Sequence, residues 1–349
     1  MKCVHLTGFR SLLNLVEKPT PVPSGTEILL KVLGAGMCHS DAHIWEGHYD
    51  LGGGKTISME ERIRFPLVMG HETSGEVVAK GPQAQGAKIG GKYAVCSWIG
   101  CGECHYCSTG DEHFCATPRF LGVNRDGGYA DHVLVPHPRY LVDIGDLDPI
   151  LAAPLVCSGL TTYSALKKAG PQLYTERIVI FGAGGLGLMA LNLLRILGAP
   201  GAVILEPDAV KRNAALEAGA IAAIDPHATD AVAQVRDALK QPVRFVLDLV
   251  GSGESATLGF ELLDRAGKMV VVGLFGGAMQ LAVPLLPMRA ATLQGSYIGS
   301  PSELRELVAL VKERGGLAMP IDRRPLAEAN QALEDLRAGR VVGRVVLVP

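Results

Sequence analysis

The 349-residue sequence lacks any block of basic residues. Its 33 Lys and Arg are interspersed with 35 Asp and Glu, for a formal net charge of −2 and a pI near 6.6. Without an arginine-rich helix or a basic face, nucleic acid and anionic membrane surfaces are not expected partners. Nothing near the start reads as a secretory leader: "MKCVHLTGFRSLLNLVEKPTP" has Lys2 and Arg10 but no uninterrupted apolar run. No stretch is long and apolar enough to span a bilayer, and repeats and low-complexity tracts are absent. The expectation is a soluble, cytoplasmic protein. In a reducing compartment, the eight cysteines are more readily metal ligands or reactive thiols than disulfides.

What is present is ample core material, 48% hydrophobic residues with a mean hydropathy of +0.24. That composition excludes a disordered or collagen-like chain, and the length suggests two domains or one large one. The first half is rich in Gly, Pro and short β-type runs, among them "EILLKVLGAG", "SGEVVAKG", "GKYAVCSWIG" and "YADHVLVP". Near Ala153 the texture changes. A helical stretch "CSGLTTYSALKKAG" leads into alternating strands and helices whose strands, such as "AVILEPD", "VRFVLDLVG" and "GKMVVVGLFGG", are nearly all apolar. Such alternation predicts an α/β fold with a doubly wound parallel sheet. After Gly295 the pattern loosens, ending in the helix "LAEANQALEDLRAG" and the strand "GRVVLVP", a tail that could return to the first domain.

Gly182, Gly184 and Gly187 form G-x-G-x-x-G between a predicted strand, Arg177–Phe181, and a helix opened by Gly185 and Leu186. The first glycine permits a tight turn, the second admits a pyrophosphate, and the third lets helix and strand pack closely. Free N–H groups at the helix start then face the phosphates. Glu206 ends the next strand, where a carboxylate accepts ribose hydroxyls and repels a 2′-phosphate. The reading is NAD over NADP, with Lys211 and Arg212 close enough to leave residual NADP use open.

Cys101, Cys104, Cys107 and Cys115 are spaced C-x₂-C-x₂-C-x₇-C in a polar loop. Four thiolates suit a tetrahedral zinc with no open position, hence a structural site. An iron–sulfur cluster fits the first three spacings, but the ferredoxin-like fourth Cys followed by Pro is missing. Chemistry needs an open site. Cys38 in "GAGMCHSDAH", His71 in "VMGHETSGEV" and Cys157 in "APLVCSGLTTY" would form Cys₂His with a free fourth position. Sequence distance cannot show that they converge, and Cys157 alone reads as a small buried hydrophobe. His5, His48, His105, His113, His132, His137, His227, Cys3 and Cys96 receive no role.

Taken together, "GMCHSDAH", "GHETSGEV", the four-cysteine lobe, "FGAGGLG" and "GRVVLVP" resemble the zinc-dependent medium-chain dehydrogenase/reductase family. The similarity is to its alcohol dehydrogenases and especially to their tetrameric bacterial and archaeal branch. The resemblance implies a discontinuous GroES-like catalytic domain, residues 1–156 and 297–349, with a Rossmann NAD-binding domain, 157–296, inserted. It implies two zinc ions per chain. Cys38, His71 and Cys157 would ligate the catalytic zinc, with Glu72 beside it and Asp41 orienting His71. Ser40 would take the alcohol proton and pass it through the nicotinamide ribose to His43 at the surface. His39 and Arg344 match pyrophosphate positions; Thr161, Val272 and Leu274 match nicotinamide positions. Trp98 and Phe120 match pocket-lining positions, and Trp45 and Ile44 lie nearby in sequence. The implied activity is hydride transfer between NAD and an apolar, cyclic or aromatic primary or secondary alcohol. The alternative is a dedicated dehydrogenase of one intermediate, such as a hydroxy acid or hydroxyacyl-CoA. The implied assembly is a homotetramer or homodimer. Ala153 stands where polyol dehydrogenases carry Glu, which argues against sorbitol-like substrates. The connection Asp50–Pro66 is expected to be a loop near the cleft or a subunit contact.

Overall fold

A computed structural model describes all of residues 1–349. The first sheet is organised by the strand Ile28–Met37, ten residues buried almost throughout its length. It pairs antiparallel with Glu72–Lys80, with His132–Val135 and with Arg344–Val348 near the C-terminus. Lys92–Val95 and Leu141–Asp143 extend the sheet on one side, and Ile321–Pro325 closes it on the other. Register matters here, because Gly36 lies opposite Glu72 and Met37 opposite Val345. Antiparallel pairing therefore gathers Cys38, His71, Glu72 and Arg344 at one end of three adjacent strands.

The second sheet has six parallel strands in the spatial order 222–224, 202–205, 178–181, 245–248, 268–271 and 292–295. Its central strands are fully buried, as the continuous apolar runs require of a sheet covered by helices on both faces. The strand order reverses at Ile178–Phe181, whose neighbours are 202–205 and 245–248. Ligands bind at such a switch point, outside the carboxyl ends of the strands. The glycine turn sits there. One core runs from the first sheet through the helix Ser158–Lys167 to one face of the parallel sheet. The other face has its own core around Phe181, Val203, Val246 and Phe260. No single helix is long and apolar enough to cross a membrane.

Two helices were not visible in the sequence pattern. His39–Glu46 starts at Cys38, whose backbone N–H donates to Asp41 Oδ2 at 2.8 Å, a cap made by two residues singled out for the site. Pro301–Glu313 begins with a capping box from Ser300 and Glu303 in the tail that had looked irregular.

The Asp50–Pro66 connection is not a simple loop. It forms an antiparallel hairpin, His48–Gly52 with Lys55–Ser58, whose first strand packs through Asp50 and Gly52 on residues 276–278 of the second domain. The approach is close enough that a Cβ on Gly276 would lie 2.8 Å from Cβ of Asp50, and Gly276 already has φ +112°. Gly276→Ala should therefore cost about 1–3 kcal/mol and loosen the hairpin. Limited trypsinolysis should cut after Lys55 faster in the variant, with a lower Tm; an unchanged cleavage rate would show that the contact does not hold the hairpin.

Candidate active site

Three separate segments deliver the inner residues. Cys38 ends the long strand, His71 and Glu72 begin the adjacent one, and Cys157 precedes the helix Ser158–Lys167. All four are buried, and their ligand atoms lie within 4.8 Å of one another. The Cys38 and Cys157 sulfurs are 3.9 Å apart. A tetrahedral zinc with bonds of about 2.3 Å requires sulfurs about 3.8 Å apart, whereas a disulfide would need about 2.05 Å. His71 Nε2 is buried without a hydrogen-bond partner, as is Glu72 Oε2. Two soft sulfurs, an imidazole with an orphaned nitrogen and a carboxylate fit zinc and leave room for a further oxygen.

The outer contacts orient this set. Asp41 Oδ1 lies 3.3 Å from His71 Nδ1, and its Oδ2 accepts from the Cys38 backbone and from Tyr129 Oη at 2.9 Å. A carboxylate at Nδ1 fixes the tautomer that frees Nε2 for a metal. Ser97 ties down the His71 carbonyl through a 2.6 Å hydrogen bond. Glu72 accepts from the Ser158 N–H at 3.3 Å and pairs with Arg344. Burial pushes the Glu72 carboxyl up to about 7, against the pull of Arg344. The hydrogen bond between the two sulfurs, in which either can donate, splits the pair, lowering Cys38 below the ordinary thiol range and raising Cys157 above it. Neither Tyr129 nor Ser97 was identified from sequence; no motif distinguishes them from core residues.

The proton-handling candidates stand beside the ligands. Ser40 Oγ is 3.8 Å from Cys38 Sγ. His43 is partly covered, its side chain 12% exposed and its ring packed 4.9 Å from Tyr49 and 5.5 Å from His39. The hairpin that the sequence reading treated as a loop provides that cover. Burial holds His43 below the ordinary imidazole range.

Trp98 and Phe120 are buried together, the Trp98 ring 5.3 Å from His71 and 5.1 Å from Phe120 in an edge-on contact. Trp45 turns away, donating to the Ser11 carbonyl at 2.7 Å beneath Arg337, and Ile44 belongs to the core.

On the cofactor side, the glycine turn is built as its spacing suggests. A Cβ on Gly187 would fall on the Gly182 carbonyl, so only glycine lets this helix lie on its strand. Glu206 is buried and accepts from Ala183 N–H at 2.8 Å and Asp208 N–H at 3.1 Å, which aims its carboxylate at the turn. Arg212 is held by the Glu206 and Pro207 carbonyls. Arg344 reaches from Glu72 to the start of the helix, its side chain against Gly185. Exposed His39 lies near Arg344 and Lys211. Gly184 and Leu186 flank Gly185 at the helix start. Thr161 and Val272 are buried, and Leu274, two residues after Val272, is half exposed.

The four-cysteine lobe is separate. Its four sulfurs lie within 4.8 Å of one another, with Cys104 3.5 Å from Cys107 and 3.8 Å from Cys115, and no cysteine is disulfide-bonded. The backbone N–H groups of Glu103 and Cys104 pull the Cys101 thiol down to about 6. Cys104, Cys107 and Cys115 complete a closed sulfur tetrahedron suited to zinc.

Two family models match the chain: "Alcohol dehydrogenase GroES-like domain" over residues 24–146 and "Zinc-binding dehydrogenase" over 185–313. An NAD-dependent alcohol dehydrogenase of Sulfurisphaera tokodaii is 36% identical over 100% of both chains. One of Saccharolobus solfataricus is 35% identical, again over 100% of both. The crystal structure of an alcohol dehydrogenase from Aeropyrum pernix superposes with a TM-score of 0.89 at 28% identity, covering 100% of each chain.

Replacing Asp41 by Asn keeps its shape but removes the charge facing His71. Zinc affinity at one of two sites should fall about 10–100-fold. Competition with a chromophoric chelator measures this; two sites as tight as in the parent protein would contradict the orienting role of Asp41.

Proposed function

The chain belongs to the zinc-dependent medium-chain dehydrogenase/reductase family, in its alcohol dehydrogenase branch, and from that premise we propose that it interconverts alcohols and carbonyl compounds with NAD. The observation that carries this reading is the buried Cys38–His71–Cys157 cluster, with His71 Nε2 orphaned, at the cleft where the glycine turn ends. Zinc in such a donor set polarises an alcohol or carbonyl oxygen, and a nicotinamide exchanges the hydride.

The chain's own residues then have distinct tasks. Ser40 Oγ stands beside Cys38 to receive the hydroxyl proton, and His43, three residues on along the same helix, is its outlet toward solvent. Asp41 fixes the His71 ring. Glu72 balances Arg344 and is a carboxylate within ligand reach. Gly182, Gly184 and Gly187 admit the pyrophosphate, with Gly185, Leu186, His39, Lys211 and Arg344 facing it. Glu206, buried at the turn with Arg212 tied to carbonyls, favours NAD over NADP. Thr161, Val272 and Leu274 border the nicotinamide. Trp98 and Phe120 exclude water and give an apolar pocket floor for apolar, cyclic or aromatic alcohols. The four-cysteine zinc pins its lobe and takes no part in the reaction. The domain division is 1–156 with 297–349 against 157–296. A cytoplasmic location accords with eight unpaired cysteines.

Assembly as a homotetramer built from dimers is also proposed. The edge strand Thr292–Gly295 pairs on one side only, and Leu293, Val283 and Met288 are exposed around it. A second copy paired along that edge would cover them. Light scattering should give a dimer or tetramer; a monomer at micromolar concentration would contradict this.

The activity is tested by an alcohol panel with NAD and NADP, read by absorbance, beside a zinc count. NADH formation with two zinc ions per chain is expected. No reduced cofactor from any alcohol, despite a full zinc complement, would overturn the reading.

A further inference from the structure

Residues 97–101 and 115–121 lie side by side between the four-cysteine lobe and the ligand cluster. The Leu121 N–H donates to the Ser97 carbonyl at 3.1 Å, and the Arg119 N–H donates to the Ile99 carbonyl at 2.8 Å. At the lobe end the Cys101 N–H donates to Cys115 Sγ at 3.3 Å. The two pocket aromatics sit in this ladder. The Trp98 ring is 5.1 Å from Phe120 and 5.3 Å from His71, and its Nε1 donates at 3.2 Å to the carbonyl of Val156, the neighbour of Cys157.

One buried carboxylate holds the lobe end. Glu112, 5% exposed, stands in the lobe between Cys107 and Cys115. Its Oε2 accepts from the Gly100 N–H at 3.0 Å and from Tyr140 Oη at 2.7 Å, and Arg139 Nη2 lies 3.4 Å from its Oε1. Tyr140 immediately precedes the sheet strand Leu141–Asp143, and its carbonyl accepts from the Cys96 N–H at 2.7 Å. Glu112 therefore ties the lobe to the sheet through Tyr140 and to the Trp98 segment through Gly100. The joint has no slack: a Cβ on Gly100 would fall on Cys107 Sγ and lie 3.3 Å from Cβ of Glu112. A shift of the lobe is passed on to residues 97–101.

A clip that closed only its own loop would have no need of a buried carboxylate on Gly100. We propose that Glu112 is a positioning residue for the substrate pocket. By holding Gly100 it fixes Trp98 against Phe120 and His71, so the lobe, while outside the chemical step, sets the preference for bulky over small alcohols. This rests on the dehydrogenase reading above and specifies what shapes its pocket.

Trp98 and Trp45 are the two tryptophans of the chain, so Trp45→Phe leaves Trp98 as the single fluorescent reporter. In that background Glu112→Ala should move the Trp98 emission to the red and raise its quenching by acrylamide, with two zinc ions retained. Glu112→Gln keeps an oxygen for the Gly100 N–H and should restore most of the parent signal. The kcat/KM ratio of benzyl alcohol to ethanol should fall about tenfold in Glu112→Ala, through the KM of benzyl alcohol, with kcat for ethanol within about twofold of the parent. If Glu112→Ala does not fold, Tyr140→Phe removes one donor to the same carboxylate and should give the same shifts in smaller measure. Trp98 quenching and an alcohol ratio that both match the parent in the folded variant would overturn the assignment. If the parent protein yields no NADH from any alcohol, the dehydrogenase reading fails, and Trp98 quenching still decides whether Glu112 positions this wall.

Discussion

Everything in the site depends on one geometric constraint. Ligands separated by more than a hundred residues must meet within the few ångströms that one metal ion allows. The β-rich domain meets it by register. With Gly36 opposite Glu72 and Val345 opposite Met37, the ends of three strands coincide, and Cys38, His71 and Arg344 arrive together. Cys157 completes the set because the helix Ser158–Lys167 starts against that same sheet end and runs toward the parallel sheet. A one-residue slip would turn each of these side chains to the opposite face.

Converging charges under burial must also be compensated. Asp41, His71, Glu72 and Arg344 are all essentially inaccessible. An isolated buried charge costs several kcal/mol, so each is paired: Asp41 with His71, a tyrosine and a backbone N–H, and Glu72 with Arg344. Among their atoms without a hydrogen-bond partner, Asp41 Oδ1 and His71 Nδ1 face each other at 3.3 Å, whereas His71 Nε2 and Glu72 Oε2 belong to the ligand cluster. Arg344 extends the network to the glycine turn at Gly185, so the chemistry and the cofactor cradle share one buried cation. The hairpin bridges the domains from the other side, covering His43 and touching residues 276–278.

Much of this was legible in the sequence, and the reason is local. The glycine turn and the four-cysteine lobe are short motifs whose spacing encodes their geometry, so their residues could be named and a ligand class attached. The α/β alternation of the second half followed from apolar periodicity. What escaped was non-local or disguised. The helix after Cys38 is capped by a cysteine and an aspartate that read as site residues rather than as helix signals. The Asp50–Pro66 stretch reads as a loop near the cleft or a subunit contact, yet Gly52–Gly54 close a hairpin and Gly52 permits contact with another domain. Nothing in the segment of His43 reveals that Tyr49 packs against it and leaves it only partly exposed. Tyr129 acts through a partner 88 positions away, beyond any motif.

Two metals with different coordination are the centre of this account: one closed by four sulfurs, the other holding two sulfurs and an imidazole with a position left open. X-ray absorption at the zinc edge of the purified protein tests this most directly. The account predicts a sulfur shell at about 2.3 Å averaging three sulfurs per zinc, with imidazole scattering from half of the metal. An all-sulfur environment, or a single zinc per chain, would contradict it.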